Sequence, residues 1–122
     1  MKKAVLDTNF ILTCIKQKID FFKWLEQEGF KIIIPLQVIA ELERIINSKK
    51  KMKFKNAAFI SIMLLKTHKI NIIDLKTRYV DKGIKKFAKQ NPDVVIATLD
   101  RELKKLENKK LIIRGKKKLE II

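Results

Sequence analysis

Hydrophobic positions along the chain form two kinds of segment, which alternate from one end to the other. Short runs rich in Ile, Val and Leu, with little polar alternation, predict strands covered on both faces. Segments with apolar positions at helical spacing predict amphipathic helices. The predicted strands are residues 4–6, 31–34, 70–73, 94–97 and 111–113. The predicted helices are residues 10–16, 20–27, 36–46, 55–67, 80–89 and 101–106.

This alternation is typical of α/β proteins, in which helices cover a mostly parallel sheet. The chain has 122 residues, of which 47% are hydrophobic, and this is enough for one core. Gly29 is a stop signal after one predicted helix, and Pro35 fits the first turn of the next. No Pro-, Gly- or Ser-rich linker divides the chain. We therefore expect one domain, residues 1–122, with a central sheet of about five strands.

Two predicted strands lead into an aspartate that also precedes a predicted helix. Asp7 follows the strand at residues 4–6, and Asp100 follows the strand at residues 94–97 after Thr98 and Leu99. Open α/β sheets bind their ligands at the carboxyl ends of their strands, so both carboxylates are candidate site residues. A simpler interpretation is that each aspartate caps the free N–H groups of the helix that follows.

Two further acids belong to predicted helices. Glu41 lies at the edge of the apolar stripe of residues 36–46, and Asp81 lies in the first turn of residues 80–89. Taken singly, Glu41 is an ordinary boundary carboxylate, and Asp81 complements the helix dipole. Together with Asp7 and Asp100, however, they direct four acids toward one rim of the predicted sheet. We call Asp7, Glu41, Asp81 and Asp100 the acidic quartet.

The net charge of the chain indicates what kind of partner binds near those acids. Lys and Arg number 29 against 13 Asp and Glu, which gives a formal charge of +16. Such a balance favours a nucleic-acid partner, although an anionic membrane or a lysine-rich proteome would also account for it. The densest basic segment, which we call the lysine run, is either an RNA contact or a solvated connection between helices. It comprises Lys49, Lys50, Lys51, Lys53 and Lys55.

Cysteine content and hydropathy indicate a cytoplasmic protein. Cys14 is the only cysteine, which excludes an internal disulfide and a cysteine-rich zinc site. Asp7 and Asn9 interrupt the apolar stretch that a signal peptide would need. No apolar run approaches the roughly 20 residues of a membrane span, so we expect no membrane partner.

Converging carboxylates predict a metal site. Like charges at close range repel and raise one another's pKa unless a cation lies among them. Oxygen ligands favour a hard divalent ion, here Mg²⁺ or Mn²⁺. Combined with a nucleic-acid partner, the acids predict metal-assisted hydrolysis of phosphodiester bonds, in which the ion activates water and offsets charge on the phosphate.

Other catalytic arrangements find little support. His68 is the only histidine and lies in a connection, where a surface side chain explains it. With only Ser48 and Ser61 available, a Ser-His-Asp arrangement has no support. The scattered glycines form no phosphate-binding loop. Asp93 precedes a predicted strand, so we expect it at the opposite rim of the sheet, where it caps a turn.

Four short motifs, in order along essentially the whole chain, resemble the PIN-domain nucleases. They are Asp-Thr-Asn at 7–9, Val-Ile-Ala-Glu-Leu at 38–42, Asp-x-x-Ile at 81–84 and Ala-Thr-Leu-Asp-Arg-Glu-Leu at 97–103. The last motif, followed by Leu-Ile-Ile-Arg-Gly at 111–115, is most similar to the ribosomal-RNA-processing branch. The resemblance implies a three-layer α/β/α, Rossmann-like fold and a Mg²⁺- or Mn²⁺-dependent endoribonuclease.

The resemblance also implies a role for each site residue. Asp7, Asp81 and Asp100 would bind the metal ion directly or through water, and Glu41 would complete the pocket. Asn9 and Thr98 occupy positions where PIN domains often have supporting polar groups. We therefore expect these two to orient carboxylates or water.

Two positions depart from the family pattern. Many relatives have a second acid at the position of Lys82, and Thr98-Leu99-Asp100 often reads Thr-Asn-Asp. The missing acid would weaken metal binding. Lys82 is alternatively a contact to substrate phosphate or a solvated lysine.

Two alternative functions and one question of oligomeric state remain open. A VapC-type toxin would share the size, fold and acidic quartet and would bind an antitoxin, whereas the charge and the closing motif favour RNA processing. A non-catalytic RNA-binding or assembly factor would keep the fold and lose cleavage. Apolar residues in the segment 54–65 serve either the core or a homodimer.

Two other classes that have an acid after the first strand do not fit the sequence. Haloacid-dehalogenase phosphatases would need Asp in place of Asn9, and response-regulator receivers would need a pair of acids near the first strand. Neither pattern is met.

Overall fold

The computed structural model describes residues 2–122, and a mixed sheet forms its centre. Within these residues five strands run parallel, and they are β1 (Lys2–Leu6), β2 (Phe30–Pro35), β3 (Asn71–Ile73), β4 (Val95–Ala97) and β5 (Lys110–Arg114). A sixth, β6 (Lys118–Ile121), is antiparallel to β5. The strand order is β3-β2-β1-β4-β5-β6. The central strand β1 is continuously apolar because Ala4, Val5 and Leu6 are all fully buried.

Helices cover both faces of this sheet. They are α1 (Thr8–Lys16), α2 (Phe21–Gln27), α3 (Leu36–Ile46), α4 (Met52–Thr67), α5 (Val80–Gln90) and α6 (Arg101–Lys104). Helices α1, α3 and α4 pack on one another, and α5 packs on α6. The chain moves outward from β1 to β2 and β3, and then returns across the sheet to β4. Right-handed crossovers therefore place the two helix groups on opposite faces, which confirms the predicted three-layer α/β/α fold.

The core is built from the apolar sides of α1 and α2 against the sheet. Phe10, Phe21 and Phe22 are almost completely buried. The rings of Phe10 and Phe21 meet edge to face with centroids 6.1 Å apart. Burial of each such side chain contributes about 1.5–3 kcal/mol. This packing fixes α1 firmly behind the end of β1, where Asp7 lies.

The strand order reverses direction between β1 and β4. Leu6 of β1 is in register with Ala97 of β4, and the backbone N–H of Asp7 donates to the carbonyl of Ala97 at 3.0 Å. The segments that follow the two strands therefore leave the sheet side by side. This is the position where open α/β sheets form their ligand crevice.

Several element boundaries differ from the predictions. The sheet has six strands rather than about five, because β6 was not predicted. Its four residues alternate between exposed Lys118 and Glu120 and partly buried Leu119 and Ile121, a pattern too short to stand out after a run of lysines. Pro35 ends β2 instead of lying in the first turn of α3. Helix α4 begins at Met52 rather than at residue 55.

Over residues 2–122, every helix is too short or too polar to cross a membrane.

We predict that Gly83→Ala destabilises the fold although alanine is the better helix former. A Cβ at this position of α5 would lie 2.8 Å from Leu75 Cβ and 2.9 Å from Thr77 Cγ2. The expected loss is about 1–3 kcal/mol, measured by urea denaturation, because overpacking outweighs the gain in propensity. Lys86→Ala on the exposed side of α5 is the control and should cost little. A higher free energy of unfolding for Gly83→Ala than for the wild type would refute the close packing of residue 83 against Leu75 and Thr77.

Candidate active site

Asp7 is the buried acid at the end of the central strand. Its side chain is only 4% exposed. Oδ1 accepts a hydrogen bond from the backbone N–H of Thr8 at 2.8 Å, and Oδ2 accepts one from the Thr98 hydroxyl at 3.0 Å. The pKa of Asp7 is raised from 3.8 to about 6, mainly by burial and in part by the nearby charges of Asp81 and Glu41, while the two hydrogen bonds oppose the shift.

Thr98 connects the ends of β1 and β4. This fully buried residue donates its hydroxyl to Asp7, and the same oxygen accepts the backbone N–H of Asp100 at 3.0 Å. Asp100 in turn caps α6, because its Oδ1 accepts the N–H of Glu102 at 2.8 Å. Asp7 likewise occupies the N-cap of α1. The capping interpretation is therefore correct for both aspartates, and it coexists with their convergence at one edge.

The other two acids of the quartet approach from opposite layers. Glu41 lies on α3, half-buried, and Asp81 lies exposed in the first turn of α5. The pKa of Asp81 is raised, first by partial burial, then by the charge of Asp100 and a hydrogen bond with it, and then by the charge of Glu41. The charges of Asp81 and Glu41 act on Asp7, and those of Asp100 and Glu41 act on Asp81, so each member of the quartet lies within reach of the charge of at least one other.

The quartet has the donor chemistry of a magnesium or manganese site. All four ligating groups are carboxylates, and their mutual repulsion would be relieved by a hard divalent cation. As the side chains stand, no three His, Cys, Asp or Glu residues in the described part of the chain are drawn close enough together to hold one ion. Asp81 is exposed, and Glu41 and Asp100 are partly exposed. Because Asp100 is tied to α6 by its cap hydrogen bond, Glu41 and Asp81 have the most freedom to change rotamer. The ligating groups are thus of the right kind for a metal ion, whereas in this side-chain conformation they lie too far apart to hold one.

The predicted supporting and basic residues fall in different places. Thr98 contacts Asp7 directly, whereas Asn9 is exposed and lines a groove beside Asp100, and its supporting role stays a prediction. The first three lysines of the lysine run precede α4, and Lys53 and Lys55 belong to its first turn. Lys82 is exposed on α5, directly after Asp81. The ammonium of Lys82 lies 5.1 Å from the ring centroid of Tyr79.

Sequence reasoning missed several residues around the acids. Lys16 and Phe54 share the groove that contains Asn9 and Asp100, although they lie far apart in sequence. Tyr79 is 53% exposed and precedes α5, two residues before Asp81. The available signal for Tyr79 was an aromatic residue between basic ones at residues 78–82. No local signal joins Lys16 to Phe54, because their contact depends on how α1 packs against α4.

Two residues excluded by sequence also have defined places. Asp93 is exposed at the opposite edge of the sheet, beside Lys3, as predicted. His68 is more ordered than a simple surface residue, since its ring stacks on Phe22 and its Nδ1 lies 3.0 Å from Glu26 Oε1. The interpretation of His68 as a simple surface side chain was therefore incomplete, because Glu26 orients its ring. Both serines instead donate their hydroxyls to nearby backbone carbonyls, Ser48 to the end of α3 and Ser61 within α4, so a catalytic triad remains unsupported.

Comparison with known proteins gives consistent results. A family model described as a PIN-like domain matches residues 4–116. Ribonuclease VapC4 of Methanocaldococcus jannaschii is 35% identical over 128 residues, covering 99% of this chain and 97% of that protein.

Solved structures share the fold. The PIN domain endonuclease Utp24 has a TM-score of 0.76 at 24% identity, covering 98% of this chain and 90% of that one. VapBC2 from Rickettsia felis, solved with a DNA fragment from its promoter, has a TM-score of 0.58 at 18% identity, covering 92% and 99%. At these identities the likeness shows the fold alone.

We predict that Asp7→Asn stabilises the protein near neutral pH. The raised pKa means that folding takes up a proton, so Asp7 weakens the fold progressively as pH rises from 3.8 to about 6. A neutral, isosteric side chain avoids this cost. Its Oδ1 still accepts the N–H of Thr8, and its Nδ2 donates to the Thr98 hydroxyl oxygen, which reverses the direction of that hydrogen bond. Urea denaturation in chelator should show a gain of about 1–3 kcal/mol at a pH of about 7.5, vanishing near pH 4. Asp93→Asn, the exposed control, should show no such gain, and a loss for Asp7→Asn at neutral pH would contradict the account.

Proposed function

We propose that this chain, which belongs to the family of PIN-like domains, is a metal-dependent endoribonuclease that hydrolyses RNA phosphodiester bonds. The observation that carries the proposal is the convergence of the acidic quartet at the carboxyl edge of the sheet. Asp7 is buried there at a cost in stability, and its charge is opposed by Asp81 and Glu41. In a chain with a formal charge of +16, such a concentration of negative charge is explained by a bound cation and a polyanionic substrate.

Each member of the site has a proposed role. Asp7, Asp81 and Asp100 would hold a Mg²⁺ or Mn²⁺ ion, directly or through water, with Glu41 completing the pocket. A bound ion of this kind activates water and offsets charge on the phosphate. Thr98 keeps the Asp7 carboxylate in one orientation and couples it to the backbone of Asp100. Asn9, exposed beside Asp100, would orient a water molecule or a carboxylate.

The basic residues would hold the substrate. The lysine run and Lys82 lie at the start of α4 and of α5, and we propose that they contact RNA phosphates. Phosphate contacts supply affinity without sequence preference. The RNA target therefore has to be found by experiment. We further propose that the protein acts in the cytoplasm, in keeping with its single, buried Cys14.

Two biological settings remain candidates. A role in ribosomal-RNA processing rests on the closing sequence pattern at residues 97–115. A VapC-type toxin role, with an antitoxin partner, is favoured by the 35% identity to a ribonuclease named VapC4. Induced expression should arrest growth only in the toxin case, and Asp7→Asn should relieve that arrest.

A homodimer stays a prediction. The exposed side chains of Phe59, Ile60 and Met63 on α4 would form its apolar surface. Light scattering distinguishes a 14.4 kDa monomer from a particle of twice that mass.

We predict that the protein cleaves single-stranded RNA in Mn²⁺ or Mg²⁺ and not in chelator. Asp7→Asn and Asp100→Asn should each abolish cleavage, because each removes a charged ligand from the metal site. Gel analysis of a labelled RNA measures this. Asp93→Asn is the matched control, since it makes the same chemical change on the opposite edge of the sheet, and it should cleave normally. Tight, salt-sensitive RNA binding without cleavage in any form would instead identify a binding module on this fold.

A second prediction concerns the buried hydroxyl of Thr98. Thr98→Val removes the hydrogen bond that favours the charged form of Asp7, so the pKa of Asp7 should rise further. The acidic limb of the cleavage rate against pH should then move to higher pH. Thr98→Ser keeps the hydroxyl and should leave that limb in place. Equal profiles for the two variants would show that Thr98 acts through packing alone.

A further inference from the structure

An open groove extends from the acidic quartet toward the junction of α1 and α4. Its volume is about 410 Å³, within the range of ligand pockets. Asn9 and Asp100 line the end nearest the quartet, and Leu12, Leu99 and Ile45 contribute apolar wall. Lys16 and Lys50 contribute positive charge, and Phe54 lines the groove beside them. One groove thus joins acidic, apolar and basic surfaces, which are the three that a nucleotide needs.

The basic end of this groove is held in place without a partner acid. The ammonium of Lys16 lies 3.7 Å from the ring centroid of Phe54, and that of Lys53 lies 5.5 Å from it. Partial burial, and then the charges of Lys53 and Lys50, lower the pKa of Lys16. Within residues 2–122, the three ammonium groups have no carboxylate at salt-bridge distance.

Stability accounts for Lys16, which lies in the last turn of α1 and packs against the Phe54 ring, but not for the positive charges gathered beside it. Lys53 lies in the first turn of α4, where a positive charge opposes the helix dipole. Lys53 and Lys50 both repel Lys16. A phosphate group seated between them would relieve the repulsion, so the arrangement suits an anionic ligand.

A second basic and aromatic cluster lies on the other layer. Tyr79 precedes α5, and its ring is 53% exposed. The guanidinium carbon of Arg78 lies 5.2 Å from the ring centroid, and the ammonium of Lys82 lies 5.1 Å from it. Aromatic residues flanked by cations are typical platforms for the bases of single-stranded nucleic acids. Asp81, a member of the quartet, directly follows this cluster in α5.

We propose that a single strand of RNA crosses the carboxyl edge of the sheet between these two clusters, with a phosphate on Lys16 and Lys50 and a base stacked on Tyr79. The proposal rests on the proposed function and deepens it, because it names the strand's path and the form of the RNA. Helices α1 and α4 lie on one face of the sheet, and α5 lies on the other. The acidic quartet between them would then face the backbone linking the two bound nucleotides.

The test is the affinity for a short single-stranded RNA, measured by fluorescence anisotropy in chelator over a series of salt concentrations. Lys16→Ala should weaken binding and reduce the slope of log K against log salt by about 0.7, the value for one lost phosphate contact on a single strand. Tyr79→Ala should weaken binding about tenfold or more and leave that slope unchanged, because stacking is not ionic.

Each variant has a matched control. Lys69→Ala removes the same charge at the opposite edge of the sheet, near His68. Tyr79→Phe keeps the exposed ring that would stack on a base, and it should bind as the wild type does. Equal losses for a variant and its control, or equal affinity for a duplex of the same sequence, would overturn the proposal.

Failure of this proposal is distinguishable from failure of the proposed function. The binding measurement requires no cleavage. If the protein cleaves RNA but the variants and their controls lose binding equally, the nuclease function is supported and the proposed path of the strand is refuted. If binding depends on Lys16 and Tyr79 but no metal-dependent cleavage occurs, the proposed path is supported and the nuclease function is refuted.

Discussion

The burial of one carboxylate between the two central strands is the constraint on which the site depends. β1 and β4 are adjacent and in register, and Asp7 emerges where their connections diverge. The Thr98 hydroxyl and the N–H of Thr8 hold both carboxylate oxygens. Because that carboxylate is fixed by the strands themselves, the acids on α3 and α5 need only approach it from the two helical layers.

This arrangement opposes stability in two ways. Burial makes the charged form of Asp7 costly, and the neighbouring acids add repulsion. The lysines beside α4 repel one another on the other side of the groove. Neither group of charges is paired with the other by an ion pair within residues 2–122. A site for a cation and a phosphate chain has unpaired negative and positive charges at one edge before its ligands bind, as this edge does.

Local sequence patterns were sufficient for the elements that carry the acids. Continuous apolar strands followed by Asp7 and Asp100 predicted both the parallel sheet and its carboxyl edge. The patterns could not reveal contacts that depend on packing, such as Lys16 against Phe54 or His68 against Glu26. They also missed β6, which forms by pairing with β5 rather than because of its own composition. The role of each acid in catalysis stays a prediction, because the structure shows where the four carboxylates lie and not what they do.

The central claim is that the acidic quartet binds a divalent cation, and calorimetric titration with Mn²⁺ tests it most directly. The account predicts saturable binding in the wild type and in Asp93→Asn, and loss of that binding in Asp7→Asn and Asp100→Asn. It also predicts that binding near pH 6, close to the pKa of Asp7, releases more protons than binding about two pH units higher. Absence of binding in the wild type, or equal binding in all four proteins, would contradict it.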